Sequence, residues 1–594
     1  MSSSLPVLTR SAARRGPLRP AGQGFGRSSR RCDRWTSWLL LIALLGVGLP
    51  VATAAVTGNL AIPHNDAWSY SRIAETFANT GQIRLVGWNR TALIGQIVIV
   101  APFGGSLCFQ QSAMAALALV ALYCVYDLVG ETLSTAGAVL AVALVAFWPG
   151  FAALETSFMT DVPYLVGAFG TLILGREALK RDSRLLLWLS MALGLWTAAV
   201  REQALAAPLS VLIYALCTDG RRRRTRRGTV LTAGLTLAAA FAAFTLWREG
   251  MADGDHFHLT VTAGAVLKNA GKLWPRLYLT LAAPLAPALA LKARPSRWSA
   301  ACWAAALAGG LIALAALLEG GLSGNYMVRT GEYGMLSGRS VLSSGFWDAV
   351  CAVGVVGSVL LAAAAVERYR NVEPVLGIFT VLTALVTLAL AAVGQHVYDR
   401  YLLALFPGVL AAVLAPELNR AYSNYARAGR RRGSSTGRLR ADRDRWLGRR
   451  GGRRPGGDGG RPGPAAISVA AASGAVMLAT ALLLGANQYA FDIARWHLAQ
   501  RITASGVPAA RIDAGLEWLG WHSPSGVIHR NAKSFFTGTD NLFADRAPCV
   551  VLTAAKGAGL QPGWSYVSSY GYRTFLAAGD STLYAYNTHA PGCR

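Results

Sequence analysis

Two short acidic motifs border apolar stretches of this chain. The first motif follows the first apolar stretch. It reads His64-Asn65-Asp66-Ala67-Trp68-Ser69-Tyr70. Asp66 could act as a general base toward a hydroxyl group or bind a divalent ion. The alternative is an N-terminal cap of the next helix, since Asn and Asp accept hydrogen bonds from free backbone N–H groups. Because a carboxylate is costly near hydrocarbon, we take a functional role as the hypothesis.

The second acidic motif runs from Glu155 to Pro163 and lies between two later apolar stretches. Asp161 stands just before Val162-Pro163, where an acidic residue can also cap a helix. Glu155 lies on the same short loop, and we expect it to orient or neutralise the site. If both motifs face the same side of a membrane, they form one site at that surface.

Two arginines also lie at the ends of apolar stretches. Arg201 separates two of them, and Arg400 precedes another within Gln395-His396-Val397-Tyr398-Asp399-Arg400-Tyr401. A guanidinium at a membrane surface suits a lipid-linked phosphate, because its planar fork pairs with two phosphate oxygens. The alternative is that each side chain extends to the lipid headgroups without a ligand.

A histidine pair supplies a candidate metal site. His256 and His258 flank Phe257 and lie near Asp253 and Asp255. Two histidines two residues apart can ligate a metal ion on an extended segment. The pattern is short and common, so ordinary surface residues are the favoured alternative.

The composition is that of a membrane protein. Of 594 residues, 53% are hydrophobic and 15% are charged, and the mean hydropathy is +0.37, whereas soluble domains carry about 25% charged residues. The net charge of +27 could suggest nucleic acid, but about half of the 57 lysines and arginines fall in three blocks beside apolar stretches. This is the pattern of cytoplasmic loops, with binding of anionic lipid headgroups as the alternative. We therefore expect no nucleic-acid partner.

Thirteen apolar stretches have roughly the length that a bilayer core requires. They are 36–57, 107–128, 134–153, 162–180, 184–200, 203–217, 229–248, 273–292, 298–318, 347–366, 373–393, 401–416 and 466–487. With a cytoplasmic N-terminus, alternate crossings put the basic loops inside, as the positive-inside rule requires. The prediction is an all-α, multi-pass protein of the plasma membrane, with about 13 transmembrane helices.

The same pattern divides the chain into regions. These are a basic cytoplasmic tail (1–35), a transmembrane module (36–418) with outer loops 58–106, 249–272 and 318–347, an Arg/Gly-rich linker (419–465), a last transmembrane helix (466–487) and a C-terminal domain (488–594). The linker lacks hydrophobic periodicity, which predicts a disordered cytoplasmic segment. We expect the C-terminal domain to be small, α+β and extracytoplasmic. Cys549 and Cys593 are its only plausible disulfide, provided that it faces an oxidising compartment.

Taken together, these motifs resemble the GT-C superfamily of integral-membrane glycosyltransferases, in particular the family 39/83 group of protein O-mannosyltransferases and lipid A aminoarabinose transferases. The resemblance covers about residues 36–420. The elements that carry it are Asn65-Asp66, Gly95-Gln96 through Phe103-Gly104-Gly105, Thr160-Asp161-Val162-Pro163, and Arg400-Tyr401-Leu402-Leu403. Their order and predicted side of the membrane are similar to those of the family, as is an outer domain after about 13 spans.

The resemblance implies roles for particular residues. Asp66 would be the catalytic base or acceptor-orienting carboxylate, supported by Asn65, and Asp161 would be the second acidic residue. Arg201 and Arg400, the latter with Tyr401, would hold the donor phosphate. Where family members bind a divalent metal, His256 or His258 would take part. The chain has Asn65-Asp66 where the family commonly has an Asp-Glu pair, so Asp161 or Glu75 would have to supply any second acid.

The implied activity is transfer of a sugar, with inversion, from a polyprenyl-phosphate donor to an extracytoplasmic glycan, lipid or protein of the cell envelope. A transporter or flippase is the first alternative, although such proteins tend to show inverted repeats and polar residues at the membrane midplane. A structural membrane protein is the second, in which Asp66 and Asp161 would only cap helices.

Overall fold

The computed structural model describes residues 29–86, 94–104, 106–218, 224–251, 262–324, 342–393, 397–415, 464–526, 548–554, 556, 563–575, 580–590 and 592–593. Up to residue 522 these ranges are mostly helical. The α-helices are α1 (Ser29–Ala43), α2 (Leu49–Val56), α3 (Ala67–Thr80), α4 (Ile94–Val100), α5 (Leu107–Gly130), α6 (Thr135–Ala146), α7 (Pro149–Glu155), α8 (Asp161–Arg181), α9 (Arg184–Ala198), α10 (Ala206–Cys217), α11 (Arg224–Glu249), α12 (Ala263–Ala282), α13 (Ala286–Lys292), α14 (Ala300–Leu318), α15 (Ser344–Arg368), α16 (Pro374–Ala392), α17 (Phe406–Leu414), α18 (Pro464–Ala504) and α19 (Leu516–His522).

Each of the thirteen predicted stretches coincides with one of these helices or with a bent or broken helix. Among the described residues, eight helices are long and apolar enough to cross a membrane, or nine if α6 and α7, which meet at 69°, form one span. The helix α9 and the segment Glu202–Cys217 are apolar but shorter. The multi-pass, all-α membrane architecture is thus confirmed.

The described residues of the predicted first outer loop, 58–106, include two short α-helices. The helix α3 covers the predicted interfacial segment and ends at Gly81, whose φ of +69° suits a residue without a side chain. The helix α4 has 7 residues and continues into a 3-10 turn, Ala101–Phe103. It is too short to span a bilayer. This loop therefore lies beside the helix bundle and carries Asp66 at the start of α3.

The C-terminal domain combines α19 with a four-stranded sheet. Its strands are β1 (Ile512–Asp513), β2 (Val550–Thr553), β3 (Ser565–Tyr572) and β4 (Ser581–Asn587). Their order is β1-β2-β4-β3, with β1 parallel to β2 and the other two pairs antiparallel. A disulfide joins Cys549, just before β2, to Cys593 near the chain end. The prediction of a small α+β domain is confirmed.

The long helix α18 connects the two parts of the molecule. It runs through the predicted domain boundary at residue 488 without a break. Its second half contributes Trp496, Leu498 and Ile502 to the core of the C-terminal domain, together with Trp518 of α19. Because one continuous helix enters both parts, the C-terminal domain is attached to the membrane module by a rigid element.

A close helix contact fixes the spacing between α8 and α9, which carry the residues around Asp161 and Arg201. Gly167 of α8 is buried against Thr197 near the end of α9. A Cβ atom at position 167 would overlap the Thr197 side chain. The glycine therefore allows the two helices to approach closely.

We expect Gly167→Ala to lower the free energy of unfolding by about 1–3 kcal/mol, as overpacking does. Gly271→Ala is the matched control, because a Cβ at position 271 in α12 meets nothing within 4 Å and alanine is the better helix former. The melting temperatures of both variants in lipid would test this. Equal melting temperatures for the two variants would contradict the proposed close contact.

Candidate active site

Asp66 stands at the N-cap position of α3 but does not act as a cap. Its side chain makes no capping hydrogen bond, and its φ and ψ of −72° and −3° are helical rather than extended. Asn65 before it has a φ of +53°, a left-handed conformation that Asn adopts more readily than most residues. Asp66 itself is buried, with 8% of its surface exposed. The capping alternative therefore does not explain why an acidic residue occupies this position.

Asp161 begins α8 and forms a buried ion pair with Arg201. Its Oδ1 accepts a hydrogen bond of 2.6 Å from Arg201 Nη1. Only 3% of the Asp161 side chain and 13% of the Arg201 side chain is exposed. A guanidinium held this close to a buried carboxylate neutralises its charge, and the hydrogen bond fixes the direction of both groups. Asp161 is thus positioned as the partner of Arg201.

Arg400 occupies the matching position beside Asp66. It lies in a 3-10 segment, Asp399–Leu405, immediately before α17. Its Nη2 is 3.8 Å from Asp66 Oδ2, which is longer than a hydrogen bond. The buried Asp399 turns back and accepts the Arg400 backbone N–H through Oδ1 at 2.8 Å. The 3-10 segment therefore directs the guanidinium toward Asp66.

Tyrosine rings surround both guanidiniums. The Arg201 guanidinium carbon lies 4.6 Å from the centre of the Tyr401 ring and 5.8 Å from that of Tyr164. The Arg400 carbon lies 5.6 Å from the Tyr401 ring and 5.2 Å from the Tyr398 ring. Cations are attracted to ring faces at these distances. Tyr401 therefore bridges the two arginines, which places the four charged residues in one cluster.

Tyr70, one helical turn after Asp66 on α3, is buried near these charges. Burial, and next the Asp66 carboxylate, raise the pKa of the Tyr70 hydroxyl well above its usual value. The charges of Arg201, Arg400 and Asp161 also act on it. The hydroxyl is therefore a proton-bearing hydrogen-bond donor at any physiological pH. Sequence reasoning missed Tyr70, although its four-residue spacing from Asp66 puts both on one helix face.

The structure also shows the surroundings of the remaining predicted residues. Glu155, at the end of α7, is fully buried, and neither carboxylate oxygen has a hydrogen bond within the described part of the chain. Its role in supporting the site stays a prediction. Asn65 contributes its backbone N–H to Glu517 Oε1 of the C-terminal domain at 3.3 Å.

The predicted metal ligands lie outside the part of the chain that the structure describes. His256 and His258 lie in 252–261, outside the described residues. Among the residues that are described, no group of three or more His, Cys, Asp or Glu side chains could hold a metal ion. The side chains of Asp66, Asp161, Arg201 and Arg400 form a cluster of two carboxylates and two guanidiniums.

We expect the Asp161–Arg201 pair to behave as a buried unit. Asp161→Leu or Arg201→Met alone leaves one buried charge unpaired and should cost about 3–5 kcal/mol. The double variant should be more stable than either single variant, because it leaves no orphaned charge. Melting temperatures of the three variants measure this.

Arg181→Met is the control for that cycle. Arg181 pairs with Glu177 at 3.1 Å, but 71% of its side chain is exposed, so its loss should cost at most about 1 kcal/mol. Strictly additive losses in the Asp161 and Arg201 variants would show that the two charges do not depend on each other.

Comparison with known proteins gives one family and a set of solved structures. Residues 103–247 match the family described as dolichyl-phosphate-mannose-protein mannosyltransferase. No curated protein sequence matches the chain significantly. ArnT from Cupriavidus metallidurans is among the similar structures. Its apo form shares 13% identity over 64% of this chain and 76% of its own, with a TM-score of 0.28. Its undecaprenyl phosphate-bound form shares 12% over 94% and 98%, with a TM-score of 0.34.

The family match spans α5 to α11 and contains both Asp161 and Arg201. It is independent of the motif around Asp66 and of Arg400, which lie outside it. Over the part of the chain that it covers, the match agrees with the resemblance that the motifs predicted, and the membrane helices agree with a multi-pass protein.

Proposed function

We propose that the chain transfers a sugar from a polyprenyl-phosphate donor to a hydroxyl group of an extracytoplasmic acceptor, with inversion at the anomeric carbon. The observation that carries this proposal is the buried cluster of Asp66, Asp161, Arg201 and Arg400, in which Tyr401 lies against both guanidiniums. A carboxylate to receive a proton and two guanidiniums to receive a phosphate are the groups that such a transfer needs. The family description, which names a dolichyl-phosphate sugar, supports the donor class.

The two acidic residues have different roles in this proposal. Asp161 is committed to Arg201 by a 2.6 Å hydrogen bond, so it serves to hold the guanidinium. Asp66 Oδ2 lies 3.8 Å from Arg400 Nη2, which is longer than a hydrogen bond, so this pair is held less tightly than the Asp161–Arg201 pair. Asp66 would accept the hydroxyl proton, or orient it, as the oxygen attacks the anomeric carbon. The Tyr70 hydroxyl would donate a hydrogen bond to a reacting oxygen.

The leaving group is a polyprenyl phosphate that gains negative charge as the glycosidic bond breaks. Arg400 and Arg201, held on either side of Tyr401, would stabilise that charge. Phosphate is a good leaving group, so no acid is needed to protonate it. The possible divalent metal at His256 and His258 would add a further positive charge near this phosphate and stays a prediction.

The site lies at the ends of membrane helices, which suits a donor whose tail lies in the bilayer. Asp161 begins α8, and Arg400 precedes α17. The basic blocks favour a cytoplasmic N-terminus, and the Cys549–Cys593 disulfide favours an oxidising, extracytoplasmic compartment for the C-terminal domain. In this orientation the sugar and the acceptor meet on the outer side of the plasma membrane. The acceptor class would be an envelope glycan, lipid or protein.

We expect Asp66→Asn to lower the transfer rate by about 10²–10⁴-fold, because it removes the proton acceptor but keeps the shape of the side chain. The assay uses purified full-length protein in lipid with a panel of radiolabelled polyprenyl-phosphate sugars and envelope acceptors. Glu131→Gln, at a partly exposed ion pair with Lys180 away from the cluster, is the control. Full activity in a folded Asp66→Asn protein would remove Asp66 from the mechanism.

We expect Arg400→Met to lower kcat by about 10²-fold or more, the usual loss when one donor to a developing anion is removed. Arg400→Lys should recover part of this, because it restores the charge without the planar fork. Arg370→Met is the matched control, since Arg370 also lies over a tyrosine ring, Tyr369, at 5.5 Å but is exposed. If the Arg400 and Arg370 variants were equally active, Arg400 would not contact the donor.

A further inference from the structure

We propose that the C-terminal domain helps to position the catalytic carboxylate of Asp66. A closed ring of buried polar contacts joins the domain to the loop that carries this residue. This inference rests on the proposed function, in which Asp66 acts on the acceptor. We call the ring the 64–65 clamp. Its members are His64 and Asn65 from the first outer loop, Asp492 and Arg495 from α18, and Glu517 from α19.

The clamp begins and ends on neighbouring residues of the loop. His64 Nδ1 lies 2.9 Å from Asp492 Oδ2, and Arg495 Nη2 donates to Asp492 Oδ1 at 2.8 Å. Arg495 Nη1 donates to Glu517 Oε2 at 2.8 Å, and Glu517 Oε1 accepts the Asn65 backbone N–H at 3.3 Å. The contacts thus pass from residue 64 through the C-terminal part of the chain and return at residue 65, which directly precedes Asp66.

Burial raises the energetic cost of breaking these contacts. His64, Asp492, Arg495 and Glu517 all expose less than a tenth of their surface. In such surroundings a charge that loses its partner is strongly destabilised, so the members hold one arrangement. Gln488 adds a further hydrogen bond to Asp492 Oδ2 at 2.9 Å, which fixes that carboxylate on α18.

The clamp acts at a left-handed turn of the backbone. Asn65 has a φ of +53°, a conformation that few residues other than glycine and asparagine adopt readily. Glu517 binds the N–H of this same residue. Asp66 follows at the N-cap position without a capping bond of its own. Glu517 is therefore a positioning residue that sets where the Asp66 carboxylate lies relative to Arg400.

Docking of the C-terminal domain on α3 can be tested separately from the effect of the clamp on the loop. Arg72, in the middle of α3, donates from Nη1 to the Gly520 and Ser523 carbonyl oxygens at 2.8 and 2.7 Å. These bonds join α3 to the end of α19 without touching residues 64 or 65. Arg72→Met should therefore weaken docking while it leaves the clamp intact.

The experiment compares Glu517→Ala, Glu517→Gln and Arg72→Met with the wild type, all as full-length protein in lipid. Sugar transfer gives kcat and the donor KM, and hydrogen exchange over residues 62–70 reports the loop without reference to activity. We expect Glu517→Ala to lower kcat by roughly 10-fold to 100-fold, the scale expected for a misplaced catalytic group, with donor KM changed by less than about 2-fold. Exchange over 62–70 should rise.

Glu517→Gln keeps an oxygen that can accept the Asn65 N–H, so it should retain more kcat than Glu517→Ala and serves if the latter does not fold. Arg72→Met should lower the melting temperature but keep the kcat of the folded protein. Unchanged kcat and exchange in the Glu517 variants, or equal effects from Arg72→Met, would overturn the clamp. Full activity of Asp66→Asn would instead overturn the proposed function, and the exchange measurement would still decide whether the clamp holds the loop.

Discussion

Charges that are buried at the ends of membrane helices must be paired, and the arrangement of this molecule follows from that constraint. The Asp161–Arg201 pair holds the start of α8 against the turn between α9 and α10. The Asp66–Arg400 contact holds the first outer loop against the segment before α17. Because an orphaned buried charge costs about 3–5 kcal/mol, each pair restricts where its helices can lie. Four segments that are distant in the sequence therefore meet at one place.

The two ion pairs differ in how closely their charged groups approach each other. Asp161 and Arg201 make a direct, short hydrogen bond, which leaves that pair closed. Asp66 Oδ2 and Arg400 Nη2 lie 3.8 Å apart, which is longer than a hydrogen bond. Tyr401 lies against both guanidiniums and keeps their spacing. In the proposed mechanism, the tightly bonded Asp161–Arg201 pair would therefore fix the frame in which Asp66 and Arg400 meet the substrates.

The sequence predicts the four charges but not everything around them. Asp66, Asp161, Arg201 and Arg400 each stand at the edge of an apolar stretch, so hydropathy alone marks them and topology predicts their meeting. Tyr70 carries no such signal, since a tyrosine at a membrane surface is common. Asp492 and Glu517 reach the site from more than 400 residues away. No local pattern indicates contacts of that separation, which is why the contacts between the C-terminal domain and the first loop appear only in the structure.

In the proposed mechanism, the helix α18 is the element through which the C-terminal domain would influence the site among the membrane helices. Asp492 and Arg495 are three residues apart, so they project from one face of a helix that is rooted among the membrane helices. Glu517 joins that face from the domain, and His64 and Asn65 join it from the loop. A displacement of the domain therefore cannot occur without moving either the loop or a buried charge. Since both are costly, the position of Asp66 and the position of the domain are set together.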